Sequence, residues 1–291
     1  TFNLSPHADL SVDLQSPNTL GRGVNRETLL SGTGALLGTR YIMGQGRNVS
    51  LHGSAHLGWR PTPKDTVNAN LQYVPAFNST ENVQLEAAPN GALRSSLAGM
   101  TDYDNNYTLE LAGDWEHRFS PGLSVKFIGL ASDTSVDQSD KFDIYTAPST
   151  YLTRTQDRTT RSGERIGRVQ VKWAAAPHNV VEFGGEGAFN FRDTSLDIVS
   201  QPKGGVAVHV PVPVANARVE EVRGEVFAAD IWQASPALSV EVGANYEFSR
   251  ISQTGDRVQE RSFNFIKPHL SATYVSGPHN TVRFSVLRDV A

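Results

Sequence analysis

The side chains able to do chemistry in this 291-residue chain are few and widely spaced. His52 and His56 lie four residues apart. On a helix that spacing would offer two imidazoles to one metal ion. Here they sit in a stretch that alternates apolar and polar residues, and at about 3.3 Å per residue of extended strand they stand about 13 Å apart, too far to share an ion. His178 and His279 each follow a proline and precede an asparagine, which makes them turn residues. "GTGALLGTR" (32–40) is glycine-rich but lacks the Gly-Lys-Ser/Thr ending of a phosphate-binding loop, and no nucleophile elbow is present. Cysteine is absent, which removes disulfides and thiolate metal sites. Asn48, Asn78 and Asn106 head glycosylation sequons of a kind common by chance. The remaining chemistry is recognition: "DYDNNY" (102–107) and "KFDIYTAPSTYLTRTQDR" (141–158) carry aromatic rings and both signs of charge. No catalytic residue, metal ligand or cofactor is assigned, and the chain reads as a non-enzyme.

The elements that must hold these groups are strands. Val49, Leu51, Gly53, Ala55, Leu57 and Trp59 share one parity, and Ser50, His52, Ser54, His56 and Arg60 the other. After a Pro/Lys/Asp turn, Val67, Ala69, Leu71, Tyr73 and Phe77 oppose Asn68, Asn70 and Gln72. A period of two over ten or so residues is a strand with one apolar and one polar face. The unit recurs. Trp115 and Phe119 precede Ser-Pro-Gly, Trp173 precedes Pro-His-Asn, Trp232 precedes Ser-Pro, and Tyr274 precedes Gly-Pro-His-Asn. All four tryptophans of the chain thus stand beside a short turn. In the strand over 219–232, Asp230 falls on the apolar parity. In 261–275 the parity slips between Phe265 and Ile266, ahead of Pro268, which predicts a bulge.

Composition narrows the class. Mean hydropathy is −0.34 and no apolar run approaches the roughly 18 residues of a membrane helix. Membrane barrels escape that test, because their strands alternate. A net charge of −4 and a pI near 6.1 give no basic footprint for nucleic acid, so no nucleic-acid partner is expected.

Connections alternate in length. Short turns are expected near 61–65, 120–122, 176–179, 233–237 and 276–280, and long polar loops near 14–46, 79–104, 135–160 and 193–218. That segregation is the pattern of a transmembrane β-barrel, with short turns on one side of the bilayer and long loops on the other. Trp59, Trp115, Phe119, Trp173, Trp232 and Tyr274 then become membrane-interface aromatics, and Tyr107, Phe77, Phe191 and Phe248 a second row at the opposite strand ends. Glutamates and arginines on the other parity suit a wide, wet lumen rather than a dry core. The expected fold is an all-β, antiparallel transmembrane barrel. About eleven strands are seen, an odd number where single-chain bacterial barrels have an even one, so residues 1–291 are expected to be one partial barrel domain.

The stretch from Val210 to Asp256, followed by 261–291, resembles the barrel of TonB-dependent outer-membrane receptors. The resemblance is carried by Trp232, Ser235, Pro236 and Leu238, by Phe265, Pro268, Leu270 and Ser271, and by the terminal Arg-Asp-Val-Ala; "WRPTPKDTVN" (59–68) looks like another turn of the same barrel. It implies a 22-stranded barrel in the bacterial outer membrane, surrounded by lipid and importing a scarce small-molecule ligand (siderophore, metal complex, cobalamin or carbohydrate) with energy from the TonB complex. No plug domain or TonB-interacting segment is recognisable, so the resemblance implies contact with that complex through a plug not seen in this chain. The alternatives are a passive outer-membrane porin, a structural or adhesive surface barrel or outer-membrane enzyme, and a soluble β-sandwich that would fold without detergent.

Overall fold

The computed structural model describes residues 2–5, 7–277 and 280–289. It is all strand. The first half comprises β1 (Phe2–Ser5), β2 (Ala8–Gln15), β3 (Asn18–Leu30), β4 (Leu36–Ser50), β5 (His52–Trp59), β6 (Asp65–Ala87), β7 (Leu93–Ser120) and β8 (Leu123–Thr146). The second comprises β9 (Thr150–Ala176), β10 (Asn179–Pro202), the two-residue β11 (Val208–His209), β12 (Asn216–Ser235), β13 (Leu238–Gly255), β14 (Gln259–Ser276) and β15 (Asn280–Leu287). All belong to one sheet in the order β1-β2-β5-β6-β7-β8-β9-β10-β12-β13-β14-β15. β3 pairs only β4, and β4 also pairs β6. Thus β2 with β3, and β4 with β5, act as single long strands interrupted near Pro17 and Leu51.

The near-end turns are closed by the hydroxyls that precede their prolines. Ser235 Oγ accepts from the Ala237 and Leu238 amides at 3.2 and 3.1 Å, Ser120 Oγ from Gly122 at 3.3 Å, and Thr62 Oγ1 from Lys64 at 3.2 Å. At the far end the hairpins over 31–34 and 88–91 close with Gly34 and Gly91 at φ 82° and 83°, a conformation only glycine adopts freely.

One ladder row gives the inclination of the strands. Trp59, Val67, Trp115, Phe127, Val169, Gly185, Val226, Tyr246 and Ile266 are successive cross-strand partners. Along it, Val67 is two residues into β6, Phe127 four into β8, Gly185 six into β10 and Tyr246 eight into β13. The row climbs one residue per strand. With about 3.3 Å per residue and about 4.8 Å between strands, a sheet whose near-end turns lie level has strands inclined by about 35°. That is the inclination of a barrel wall.

No second layer covers this sheet. Ala188 is the sole buried hydrophobic among the described residues. Large apolar side chains instead share one exposed face, Leu111 at 54%, Val226 at 54% and Ile266 at 58%.

Three sequence expectations change. The stretches over 14–46, 79–104, 135–160 and 193–218 are largely strand, not loop: β6 and β7 run to Ala87 and from Leu93, and β8 and β9 to Thr146 and from Thr150. Their periodicity fades because both faces are polar there, while the backbone ladder needs no apolar face to persist. No bulge occurs at Phe265/Ile266; β13 and β14 pair in unbroken register from Leu238↔Tyr274 to Gln253↔Gln259. Phe263 and Phe265 lie on the polar-face parity, stacked at 6.0 Å, so two inward rings produced the apparent slip. Twelve strands cross the sheet where about eleven were counted, the fifteen segments reducing to twelve once β2–β3 and β4–β5 are each taken as one strand and the two-residue β11 is set aside. Val290, Ala291, Pro278 and His279, and the side chains of Leu4, Asp104 and Asn105, fall outside the described residues, and with them the end of the Arg-Asp-Val-Ala motif and part of the turn near 276–280.

Candidate functional site

Two faces and one end of the sheet carry the candidate chemistry. On the apolar face near the short turns, Trp59, Trp115, Phe119, Trp173, Trp232 and Tyr274 are all exposed. Trp115 is the most engaged. Its ring stacks on Phe127 at 5.5 Å and its Nε1 donates to Asp65 Oδ1 at 3.0 Å. His117 Nδ1 lies 2.7 Å from the same oxygen, its ring edge-on to Phe119 at 4.5 Å, and the Thr62 hydroxyl donates to the other carboxylate oxygen. These partners, Thr62 foremost and then His117 and Trp115, hold the Asp65 carboxyl down at about 2. Asp230, on the apolar parity, accepts from Asn179 Nδ2 at 3.1 and 3.2 Å beside Trp232. In both places a carboxylate is satisfied at the level of the tryptophans.

Eight to ten residues further along the strands stand the other rings. Tyr107 lies 6.2 Å from Tyr73, Phe191 stacks on Phe189 at 6.0 Å under the Arg218 guanidinium at 5.3 Å, and Phe248 covers Gly224. Phe77 is exposed. The apolar band from Trp115 to Tyr107 spans about 22 Å along the normal at the inclination above, against about 25 Å for a barrel's lipid band. The same face also carries ion pairs: Arg165 holds Asp133, the cross-strand partner of Leu109 in the upper part of the band, through two contacts at 2.7 and 2.9 Å, and beyond the band Arg218 holds Asp193 and Glu220 at 2.7 Å each.

The opposite face is polar. Asp114, Ile128, Arg168, Glu186, Glu225 and Glu247 are successive cross-strand partners, so three glutamates stand side by side. Three cations compensate them. Arg168 and Arg223 reach Glu186 at 3.5 and 3.0 Å, and Lys267 reaches Glu225 at 2.9 Å and Glu247 at 2.7 Å. Arg168 also lies 4.2 Å from the centre of the Phe227 ring, in a space left by Gly184. His56 Nδ1 meets Asn70 Oδ1 at 2.7 Å across the ladder. His178 sits exposed in its turn and its carbonyl accepts from Gln233.

At the far end, "DYDNNY" is a register shift at the top of the band, between Asp104 and Tyr107, and not a loop. The segment over 141–158 forms the β8–β9 hairpin. There Tyr145 and Tyr151 face one another at 4.6 Å and Lys203 lies over Tyr151, also at 4.6 Å, around a recess of about 470 Å³. The two tyrosines were visible in the sequence as rings flanking a proline; that Lys203, some fifty residues on, joins them follows only from the β9–β10 register.

The family described as TonB dependent receptor-like, beta-barrel matches residues 38–288. No curated protein matches the chain significantly. Among solved structures, the outer-membrane protease OmpT from Escherichia coli matches at 10% identity over 92% of this chain and 96% of that one, with a TM-score of 0.29. The expectation of a non-enzyme is withdrawn on that match, while an overlap of that quality assigns no proteolysis to this chain.

Proposed function

This chain belongs to the TonB-dependent receptor-like β-barrel family, and from that we propose that it forms the membrane-spanning wall of an outer-membrane receptor that takes up a scarce ligand with energy delivered by the TonB complex. One observation carries the reading: a single uncovered sheet has an apolar face about nine residues tall between two rows of rings, and a charged face behind it. An apolar face of that extent is unfavourable in water and matches the hydrocarbon of a bilayer. Trp59, Trp115, Phe119, Trp173, Trp232 and Tyr274 then sit among the headgroups of one leaflet, and Tyr107, Phe77, Phe191 and Phe248 among those of the other. The short turns face the periplasm and the far-end hairpins face outwards, where a siderophore, metal complex, cobalamin or carbohydrate is first met. Contact with TonB runs through a plug seated against the polar face.

A passive porin is the second reading, since the wet, ion-paired inner face suits diffusion equally well. The test is uptake by cells producing the full-length protein, with TonB intact or deleted. The probes are a radiolabelled ferric siderophore, labelled cobalamin and a labelled maltooligosaccharide. Saturable uptake of one probe that disappears without TonB is the expected result. Non-saturating passage of all three regardless of TonB would replace the receptor by the porin.

A further inference from the structure

We propose that the recess at the β8–β9 hairpin is a saccharide-binding cup on the outside of the wall, separate from any ligand path along the polar face. Its side of the sheet follows from register. β8 pairs β9 without a shift from Leu123↔Trp173 to Thr146↔Thr150, so Tyr145, Asp143, Tyr151 and Thr153 share the face of Trp173 and Phe127. Its height follows as well. Tyr145 is ten residues beyond Ser135, the partner of Tyr107 at the top of the apolar band. At the inclination of the strands that is about 27 Å above the band, clear of the hydrocarbon.

The lining fits a sugar better than other ligands. Two tyrosine rings, packed on one another with centroids 4.6 Å apart and planes inclined at 35°, form an aromatic wall of the recess against which the C–H face of a pyranose packs. Around it stand donors and acceptors of both kinds: the Asp143 carboxylate (already accepting from Thr153 at 2.6 Å), the Gln201 amide, and the Lys203 ammonium over Tyr151. The Tyr151 hydroxyl has no partner among the described residues. A carboxylate in the rim disfavours an anion, and the polar rim disfavours a purely apolar ligand, whereas hydroxyl groups use every member of it. The volume of about 470 Å³ lies within the range of small-molecule sites. Two sources share this chemistry, the core sugars of a neighbouring outer-leaflet glycolipid and a free glycan. Only the first depends on the outer-membrane placement proposed above.

The experiment is saturation-transfer NMR on the full-length protein in detergent micelles. The probes are methyl hexopyranosides, a deacylated lipopolysaccharide core oligosaccharide and intact lipopolysaccharide. Saturation should pass to ring C–H protons of the saccharides. Tyr151→Ala should raise the dissociation constant about tenfold and Tyr151→Phe should change it little. Unboiled electrophoretic mobility confirms that each variant is folded, and Lys203→Gln, which leaves both rings in place, provides a second perturbation of the rim. A preference for the core oligosaccharide assigns the glycolipid; a preference for simple hexosides assigns a free glycan. Absence of transfer to every saccharide overturns the proposal. So does binding of intact lipopolysaccharide alone that is indifferent to Tyr151→Ala, because acyl chains on the apolar band then account for it. TonB dependence of uptake, measured in the same variants, stands or falls separately.

Discussion

Asp65 accepts hydrogen bonds from Thr62, Trp115 and His117 at the level of the near-end rings, and its carboxyl is held at about 2 against an ordinary value of 3.8. A depressed carboxylate contributes stability that is complete above its unfolded pKa and lost as pH falls through the folded one. The difference in unfolding temperature between the natural protein and Asp65→Asn is therefore expected to be constant above about pH 5, to shrink between about 4 and 2, and to vanish below. A difference that persists unchanged at pH 2 would show that the carboxylate's charge is not what its partners hold. Lys267 invites the complementary test, because Glu225 and Glu247 face one another across the ladder and it bridges both. Lys267→Met leaves like charges opposed. The groups are half-buried on a wet face, so a loss of roughly 1–2 kcal/mol is expected in guanidinium unfolding, below the figure for a fully buried pair. Adding Glu247→Gln should restore most of it; a double variant no better than the single one would mean that Lys267 acts through packing.

At the scale of the strand, what the sequence disclosed depended on water. Where one face meets an apolar surroundings and the other a wet one, residues alternate and the strand is legible, as from Val49 to Trp59 or Tyr107 to Phe119. Above the band both faces carry polar residues. Leu93–Asp102 and Thr150–Thr160 then show no parity, although β7 runs on across the register shift between Asp104 and Tyr107 and the β8–β9 ladder is unbroken. The tryptophans beside the turns were legible for the same reason, while the Glu186–Glu225–Glu247 row and the tyrosine cup were not, because register brings together residues dozens of positions apart. Glycines mark close approaches that residue type alone does not reveal. A Cβ on Gly184 would lie 2.0 Å from the Val169 carbonyl oxygen and 2.7 Å from the Phe227 ring, and one on Gly224 would lie 2.2 Å from the Phe248 ring. The first obstacle is backbone; the second is an exposed ring free to swing aside. Gly184→Ala is expected to cost about 1–3 kcal/mol of stability and Gly224→Ala about 1 kcal/mol or less, measured as shifts in the denaturant midpoint of refolding into lipid. Equal costs would mean that the ladder relaxes as easily as the ring.

For the molecule as a whole, the question is what replaces a core. A sheet whose one buried hydrophobic among the described residues is Ala188 has no interior to stabilise it. Its ladders fix the shape, and the surroundings must supply the apolar phase. If lipid does so, the cost of a charge depends on depth and face together. Leu111 stands four residues from Trp115 and four from Tyr107, midway across the band and 54% exposed. Gln72 is near the same level, but on the polar parity opposite Glu110. Val258 lies 80% exposed at the far-end tip between β13 and β14. Leu111→Arg is expected to cost about 2–4 kcal/mol of folding free energy in phospholipid vesicles, while Gln72→Arg and Val258→Arg stay within about 1 kcal/mol of the natural protein. Tryptophan emission during guanidinium titration reads all three, since Trp59, Trp115, Trp173 and Trp232 lie at one edge of the band. If Leu111→Arg proves as mild as Val258→Arg, the apolar face is covered by protein or water rather than lipid, and both the wall and the receptor proposed from it lose their basis. If Gln72→Arg is as severe as Leu111→Arg, the polar face is not the wet one, and the assignment of inside and outside must be reversed.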